Sequence, residues 1–375
     1  MLWFCAGTAG ELIKVYPLLR MATERKLSWF MLSTGQSGIN FFRQWDDFLL
    51  PRERVGTLVQ TTADLHTSQA AVHWFSRAAL TSTSDLRKTV FTLSGQLPTA
   101  SDTWLVHGDT LSTLIGSWYA RRLKVPLAHI EAGLRSDRLF HPFPEEINRR
   151  WVSRLAQLHF PQDTRALENL NRARFPAISG RKICTEGNTL IDAIHYMNDD
   201  FRKAGTAATL TASGDAVAPY VVANVHRFEN LHSPENWETI LQVLERAAKK
   251  HRVKLVLHPP TQEKLAKEPG ARARLEKAGI ELLPRQPFRS FIQLLIGSEY
   301  VISDGGSNQE ECHYLGKPCL LLRNSTERIE GLNGPCLLTK FQKHAIDRFF
   351  AEPGKFKGPE VFFPRSPSSI ILDSL

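Results

Sequence analysis

LWFCAGTAGELIKVYPLLRMATERKLSWFMLS, residues 2–33, carries the reading of the fold. The apolar run at 2–8 reads as a strand buried on both faces, and the amphipathic stretch at 11–25 as the helix that follows it. A second apolar run occupies 29–33. Strand, helix and strand in about 30 residues make one crossover unit, which joins parallel strands. The alternation continues outward. Residues 103–107, 125–130 and 183–185 read as strands, with helical patterns at 112–122 and 145–156. It pauses at 205–219, rich in Ala, Thr, Ser and Gly. It then resumes with strands expected at 220–224, 254–257, 280–283, 300–303 and 319–322 and a helix at 233–249. This predicts an α/β chain of two Rossmann-like doubly wound domains, each a parallel sheet with helices on both faces. In such sheets ligands bind outside the carboxyl ends of the strands, here in an expected inter-domain cleft. The seam is expected near 186–188, giving an N-terminal domain over 1–186 and a C-terminal one over 187–345. Residues 346–375 are expected as a tail packing back on the first domain.

Composition narrows the function. At 375 residues two domains are favoured, and 42% hydrophobic with 23% charged residues excludes wholesale disorder. No apolar run is long enough for a membrane helix, so no membrane insertion is expected. The N-terminus runs straight into a strand without a basic leader, so no signal peptide is read and the cytoplasm is the expected location. Lys and Arg total 47 against 38 Asp and Glu, a net charge of 47 − 38 = +9. The cations are scattered. Clusters such as Arg121-Arg122 and Lys249-Lys250-His251-Arg252 sit at expected helix ends, where they offset the dipole, so no nucleic-acid partner is expected. The five cysteines, Cys5, Cys184, Cys312, Cys319 and Cys336, lack C-x-x-C spacing and read as reduced thiols; no metal site is expected.

Polar and glycine residues cluster just after the expected strands. Gly7-Thr8-Ala9-Gly10-Glu11 opens a helix, with Lys14 one turn in; an anion cradle and a plain tight turn stand level. Asp109, in His107-Gly108-Asp109-Thr110, is a candidate carboxylate, although local sequence favours a helix N-cap. Glu131 closes an apolar strand, where an acid needs a partner or a task. Either it pairs with Arg135 or His129, or it is catalytic. Pro144 suits a first helical position, and Glu145 and Arg149 share a face, which favours an i,i+4 ion pair. In the second half His226-Arg227 follows a strand, as does the weaker His258-Pro259-Pro260. Asp304-Gly305-Gly306-Ser307 opens a helix whose backbone suits a phosphate, with Glu311 one turn in for ribose hydroxyls. Arg328 follows the strand at 319–322.

In this order the motifs resemble the non-hydrolysing UDP-N-acetylglucosamine 2-epimerases. The matching pieces are G-T-x-x-E-x-I-K at 7–14, GDT at 108–110, HIEAGLR at 129–135, PFPEEINR at 142–149, GNTLIDA at 187–193, HRFEN at 226–230, DGGSNQEE at 304–311 and TER at 326–328. The resemblance implies a glycosyltransferase-B-like fold and a reversible inversion at C2 of UDP-GlcNAc to UDP-ManNAc, by anti-elimination of UDP and re-addition, for bacterial surface polysaccharide. It implies Asp109, Glu131, Glu145 and His226 as catalytic residues, with Arg149 in support. Lys14, Phe291, Gly305, Gly306, Glu311 and Arg328 are the implied UDP-binding residues. A homodimer is implied; a metal or nicotinamide cofactor is not.

The departures fall mainly on the UDP side. Where the family has G-T-R-P-E this chain has Ala9-Gly10, which removes an expected cation; D-S-G-G becomes Asp304-Gly305-Gly306-Ser307. TERPE becomes Thr326-Glu327-Arg328-Ile329-Glu330, and Ser37 stands for a histidine tied to allosteric activation. Three other outcomes fit the same fold: a hydrolysing epimerase releasing UDP and ManNAc, a glycosyltransferase, and an inactive binding homologue. The retained carboxylates argue against the last two.

Overall fold

The computed structural model describes residues 1–59, 68–136, 144–173, 177–204, 219–326 and 328–375. Residues 205–218 of the expected break, Pro142 and Phe143 of the PFPEEINR motif, and Glu327 lie outside the described residues.

The chain forms two compact units, residues 1–193 with 363–375, and residues 194–362. The first holds strands β1 Leu2–Ala6, β2 Trp29–Ser33, β3 Val55–Thr57, β4 Thr103–His107, β5 Leu127–Ile130, β6 Leu158–Phe160 and β7 Arg181–Lys182. They form one sheet in the order β3-β2-β1-β4-β5-β6-β7, with every pairing parallel. The second holds β8 Tyr220–Asn224, β9 Arg252–Val256, β10 Glu281–Leu283, β11 Val301–Ser303, β12 Cys319–Leu321 and β13 Cys336–Leu338. Its sheet, β10-β9-β8-β11-β12-β13, is also wholly parallel. The doubly wound α/β class is as expected. The strand at 183–185 is instead the short β7 at 181–182, and β3, β6 and β13 were not foreseen. All three have only three residues, too few for a periodic signal.

Helices cover both sheets. In the first unit Trp3 and Trp104, on neighbouring strands, stack at 6.4 Å beneath the helix Leu111–Leu123. In the second, helix Lys343–Ala351 sends Ile346, Phe349 and Phe350 into the core, with Phe349 edge-on to Tyr300 at 5.4 Å. Burying a ring like Phe349 stabilises by about 1.5–3 kcal/mol, which ties this helix to its sheet. Residues up to 362 therefore belong to the second unit, and only 363–375 to the first. There the helix Pro367–Asp373 lies on the helix Ala9–Glu24, with Asp373 Oδ1 2.6 Å from Arg25 Nη1 and Ser368 N donating to Asp192 Oδ2 at 2.8 Å. The division between units falls inside the helix Leu190–Lys203, not at 186–188.

Among the described residues no helix is long and apolar enough to cross a membrane. The five cysteines are free thiols, four of them buried. No group of described residues is arranged to hold a metal ion.

Candidate functional site

Each sheet has one point where strand order reverses, at β1 and β4 in the first and β8 and β11 in the second. Connections leave in opposite directions there, so the carboxyl ends open a crevice. The motifs singled out in the sequence fall at or beside these two points.

In the first unit the turn after β1 is occupied by its own side chain. Glu11 Oε2 accepts from Gly7 N and Thr8 N at 2.9 Å each, and Glu11 Oε1 from Thr110 Oγ1 at 2.7 Å. The Gly7 and Thr8 amides are thus already bonded to the chain's own carboxylate. Burial raises the Glu11 carboxyl above its ordinary range, against the lowering effect of these donors.

Lys14 does not face that turn. Its Nζ lies 2.7 Å from Glu131 Oε1. Glu131 stands just past β5 with φ 62, a left-handed backbone rare for a residue with a side chain. Asn188 Nδ2 donates to the same Oε1 at 2.9 Å, and His107 Nε2 is 3.5 Å from Oε2. Neither expected local pairing forms: His129 Nε2 bonds Gly108 O at 2.8 Å, and Arg135 turns to Leu134 O at 2.7 Å. His107 is fully enclosed, and desolvation lowers its pKa to about 4, so the ring is neutral near pH 7. Gly108 (φ 74) turns the chain beside the Glu131 carboxylate in a left-handed backbone that favours glycine.

Asp109 is not the helix cap. Thr110 is, accepting from Thr113 N at 3.2 Å, which leaves the Asp109 carboxylate free for Arg149. Arg149 Nε and Nη2 reach Asp109 Oδ2 at 2.8 and 2.6 Å. The expected Glu145–Arg149 pair is replaced by this one and by Arg149 Nη1 to Glu146 Oε2 at 3.4 Å. Pro144 is the N-cap of Glu145–Leu155 rather than its first residue. Glu145 Oε2 is buried with no hydrogen-bond partner among the described residues. An unbonded buried carboxylate oxygen is costly, and such groups concentrate at sites of chemistry. Glu146, fully buried and bonded to Arg149, Arg150 and Ser136 N, was not foreseen. Nor was the Asn188 contact to Glu131, since Asn188 was read only as a letter of the GNTLIDA motif.

In the second unit Asp304, fully buried at the end of β11, organises the loop after β8. It accepts from His226 N at 2.9 Å, and from Arg227 N and Asn230 Nδ2 at 3.0 Å each. His226 stacks on His258, ring centroids 4.7 Å apart. Gly305 caps the helix Gly306–Tyr314, its N–H bonded to Ser303 Oγ at 2.9 Å. Glu311 is buried, and its Oε2 accepts from Asn308 Nδ2 at 2.8 Å. Arg328 forms an ion pair with the buried Glu310, and its carbonyl accepts from Gln309 Nε2 at 3.1 Å. Phe291 is buried in the helix Phe288–Gly297. Asp304 was noted only as a motif letter; its anchoring role needed the coordinates.

The family model described as UDP-N-acetylglucosamine 2-epimerase matches residues 77–351. The chain belongs to the UDP-N-acetylglucosamine 2-epimerase family. It is 33% identical over 243 residues to the UDP-N-acetylglucosamine 2-epimerase of Yersinia pestis, covering 63% of each chain. It is also 33% identical over 238 residues to a probable UDP-N-acetylglucosamine 2-epimerase of Ralstonia solanacearum, covering 62% of this chain and 61% of the relative. These matches thus span about six-tenths of the curated relatives' length. The crystal structure of the UDP-GlcNAc 2-epimerase of Neisseria meningitidis bound to UDP-GlcNAc superposes with a TM-score of 0.74 at 25% identity, covering 100% of this chain and 98% of that one. The Methanocaldococcus jannaschii UDP-GlcNAc 2-epimerase structure gives 0.74 at 22% identity and shares the fold. The two parallel α/β sheets are those of the glycosyltransferase-B-like epimerase fold.

Proposed function

We propose that this protein is a non-hydrolysing UDP-GlcNAc 2-epimerase, interconverting UDP-GlcNAc and UDP-ManNAc without cofactor, as a cytoplasmic homodimer serving surface polysaccharide synthesis. The observation that carries the reading is Glu131, held in a left-handed backbone with Lys14, Asn188 and His107 converging on its carboxylate. Backbone strain of this kind costs about 1–3 kcal/mol and persists where function demands it.

The chemistry accounts for the residue types. The C2 proton is only weakly acidic, because no carbonyl is attached at that carbon. A carboxylate takes it as the C1–O bond breaks, and that bond's electron pair leaves on the β-phosphate of UDP. The product is a 2-acetamidoglucal. Re-addition returns the diphosphate to C1 and a proton to the opposite face of C2. Asp109, Glu131 and Glu145 supply carboxylates for the proton steps and for the positive charge developing on the ring. Arg149 holds the Asp109 carboxylate in place through its two short contacts to Oδ2. His226 belongs with the catalytic set, Gly305, Gly306, Glu311, Arg328 and Phe291 serve the UDP part, and Lys14 acts through Glu131.

The test is proton and phosphorus NMR with UDP-GlcNAc in D2O. Deuterium at C2 with a UDP-GlcNAc/UDP-ManNAc mixture is expected. Free UDP with ManNAc overturns the non-hydrolysing reading, and no exchange overturns both. Glu131→Gln is expected to lower exchange by about 100-fold or more while UDP binding stays within about twofold. Loss of UDP binding contradicts a catalytic role for Glu131.

A further inference from the structure

The end of β8 carries an oriented relay that no motif announced. Asn224 is the last residue of that strand and is buried. Its Oδ1 is 3.0 Å from His226 Nδ1, and its Nδ2 is 3.1 Å from His258 Nε2. An amide oxygen only accepts, so His226 carries its proton on Nδ1. An amide nitrogen only donates, so His258 Nε2 is bare. Asp304 independently supports this orientation, because its Oδ1 lies 3.5 Å from the same His226 Nδ1 and an anion favours an N–H facing it.

The ring is confined on its other sides too. His258 stacks on its face, with 24° between the ring planes. At Gly305 a Cβ would come within 3.0 Å of His226 Cε1 and 2.7 Å of Asn308 Oδ1. The glycine that replaces the family's serine therefore leaves the space this ring and Asn308 occupy. His226 Nε2 alone has no hydrogen-bond partner among the described residues, and the side chain is 32% exposed.

We propose that Asn224 is a positioning residue that holds His226 as its Nδ1–H tautomer, with Nε2 an open acceptor toward substrate. Free histidine favours the opposite tautomer, so the state needs a partner to impose it. A bare Nε2 matches a donor, such as a sugar hydroxyl or amide N–H, and not an anionic phosphate oxygen. Burial lowers the pKa of His226 and brings His258 to about 3, which keeps the stacked pair neutral. The charged and titratable groups facing His226 are Asp304, Arg227, Arg285, Glu229 and His258. Arg227 and Arg285 oppose protonation, whereas Asp304 and Glu229 favour it. The role in turnover rests on the proposed epimerase function; the tautomer does not.

The test is long-range proton–nitrogen correlation on the full chain labelled with 15N-histidine, with peaks assigned through His226→Asn. Wild-type His226 is expected to show a protonated Nδ1 and a bare Nε2. Asn224→Leu, with no amide, is expected to shift the ring toward Nε2–H and cut kcat about 10- to 100-fold, with the UDP dissociation constant within twofold. Asn224→Asp keeps the acceptor, so it is expected to retain the tautomer and most of kcat, and to raise the pH at which His226 titrates. A wild-type His226 protonated on Nε2, an unchanged tautomer in Asn224→Leu, or a lost tautomer in a folded Asn224→Asp overturns the proposal. If the wild type shows no C2 exchange, the functional reading fails while the nitrogen spectra still decide this one.

Discussion

Lys14 Nζ and Glu131 Oε1 are 2.7 Å apart, although 117 residues separate them in the chain. The lysine of the first helix thus stabilises the carboxylate at the end of β5. Both groups are mostly enclosed, with side-chain exposures of 14% and 11%, so the interaction is little screened. Lys14→Met is expected to slow C2 exchange on the order of 100-fold and to change UDP affinity far less. Exchange rates by NMR and UDP binding by calorimetry separate the two. Equal losses in both would return Lys14 to the diphosphate.

The left-handed backbone at Glu131, φ 62, makes a stability prediction independent of catalysis. Any residue with a Cβ is strained there and glycine is not, by about 1–2 kcal/mol. Glu131→Gly is therefore expected to be more stable than Glu131→Ala by about 1 kcal/mol in urea unfolding. The usual order, Ala above Gly, would mean the strain is not stored at this residue.

Two buried histidines give the first unit an acid limb. Desolvation takes His107 from 6.5 to about 4 and His129 from 6.5 to about 3. Between those values the unfolded chain binds protons that the folded chain refuses. Stability therefore rises with pH in this window. The contribution is complete above about 6.5 and is lost as pH falls toward 4, at up to about 1.4 kcal/mol per pH unit for each group. Urea midpoints at pH 7, 6 and 5 should fall in that order, and His129→Gln should flatten the slope by about one proton. A midpoint that stays level contradicts the assignment.

Gly305→Ser restores the family's residue, and expectation from sequence alone is a better UDP site. The packing points the other way, because the added Cβ meets Asn308 Oδ1 at 2.7 Å. Asn308 holds both Ser303 Oγ and Glu311 Oε2, so displacing it disturbs Glu311 as well. UDP affinity is expected to fall by about 10-fold, the cost of one disrupted polar contact of about 1.4 kcal/mol. Tighter binding would show that the loop relaxes freely.

The sequence by itself determined the parallel sheets, because strands buried on both faces must be written as apolar runs that no other element uses at that length. It also placed the candidate residues Asp109, Glu131 and His226, and the motif residue Asp304, one or two residues beyond a strand. What it left open were the partners. The local pairings that spacing favours, Glu145 with Arg149 and Glu131 with Arg135, do not form. Side chains brought in by other elements compete for the same groups: Asp109 takes Arg149 from 40 residues away, and Asn188 reaches Glu131 from 57. Helix spacing puts two charges within reach of each other, but it cannot show which oppositely charged neighbour the fold delivers with better geometry. The helix Lys343–Ala351, which overlaps the start of the expected tail, joined the second core for the same reason: only the sheet it covers gives Ile346, Phe349 and Phe350 somewhere to go.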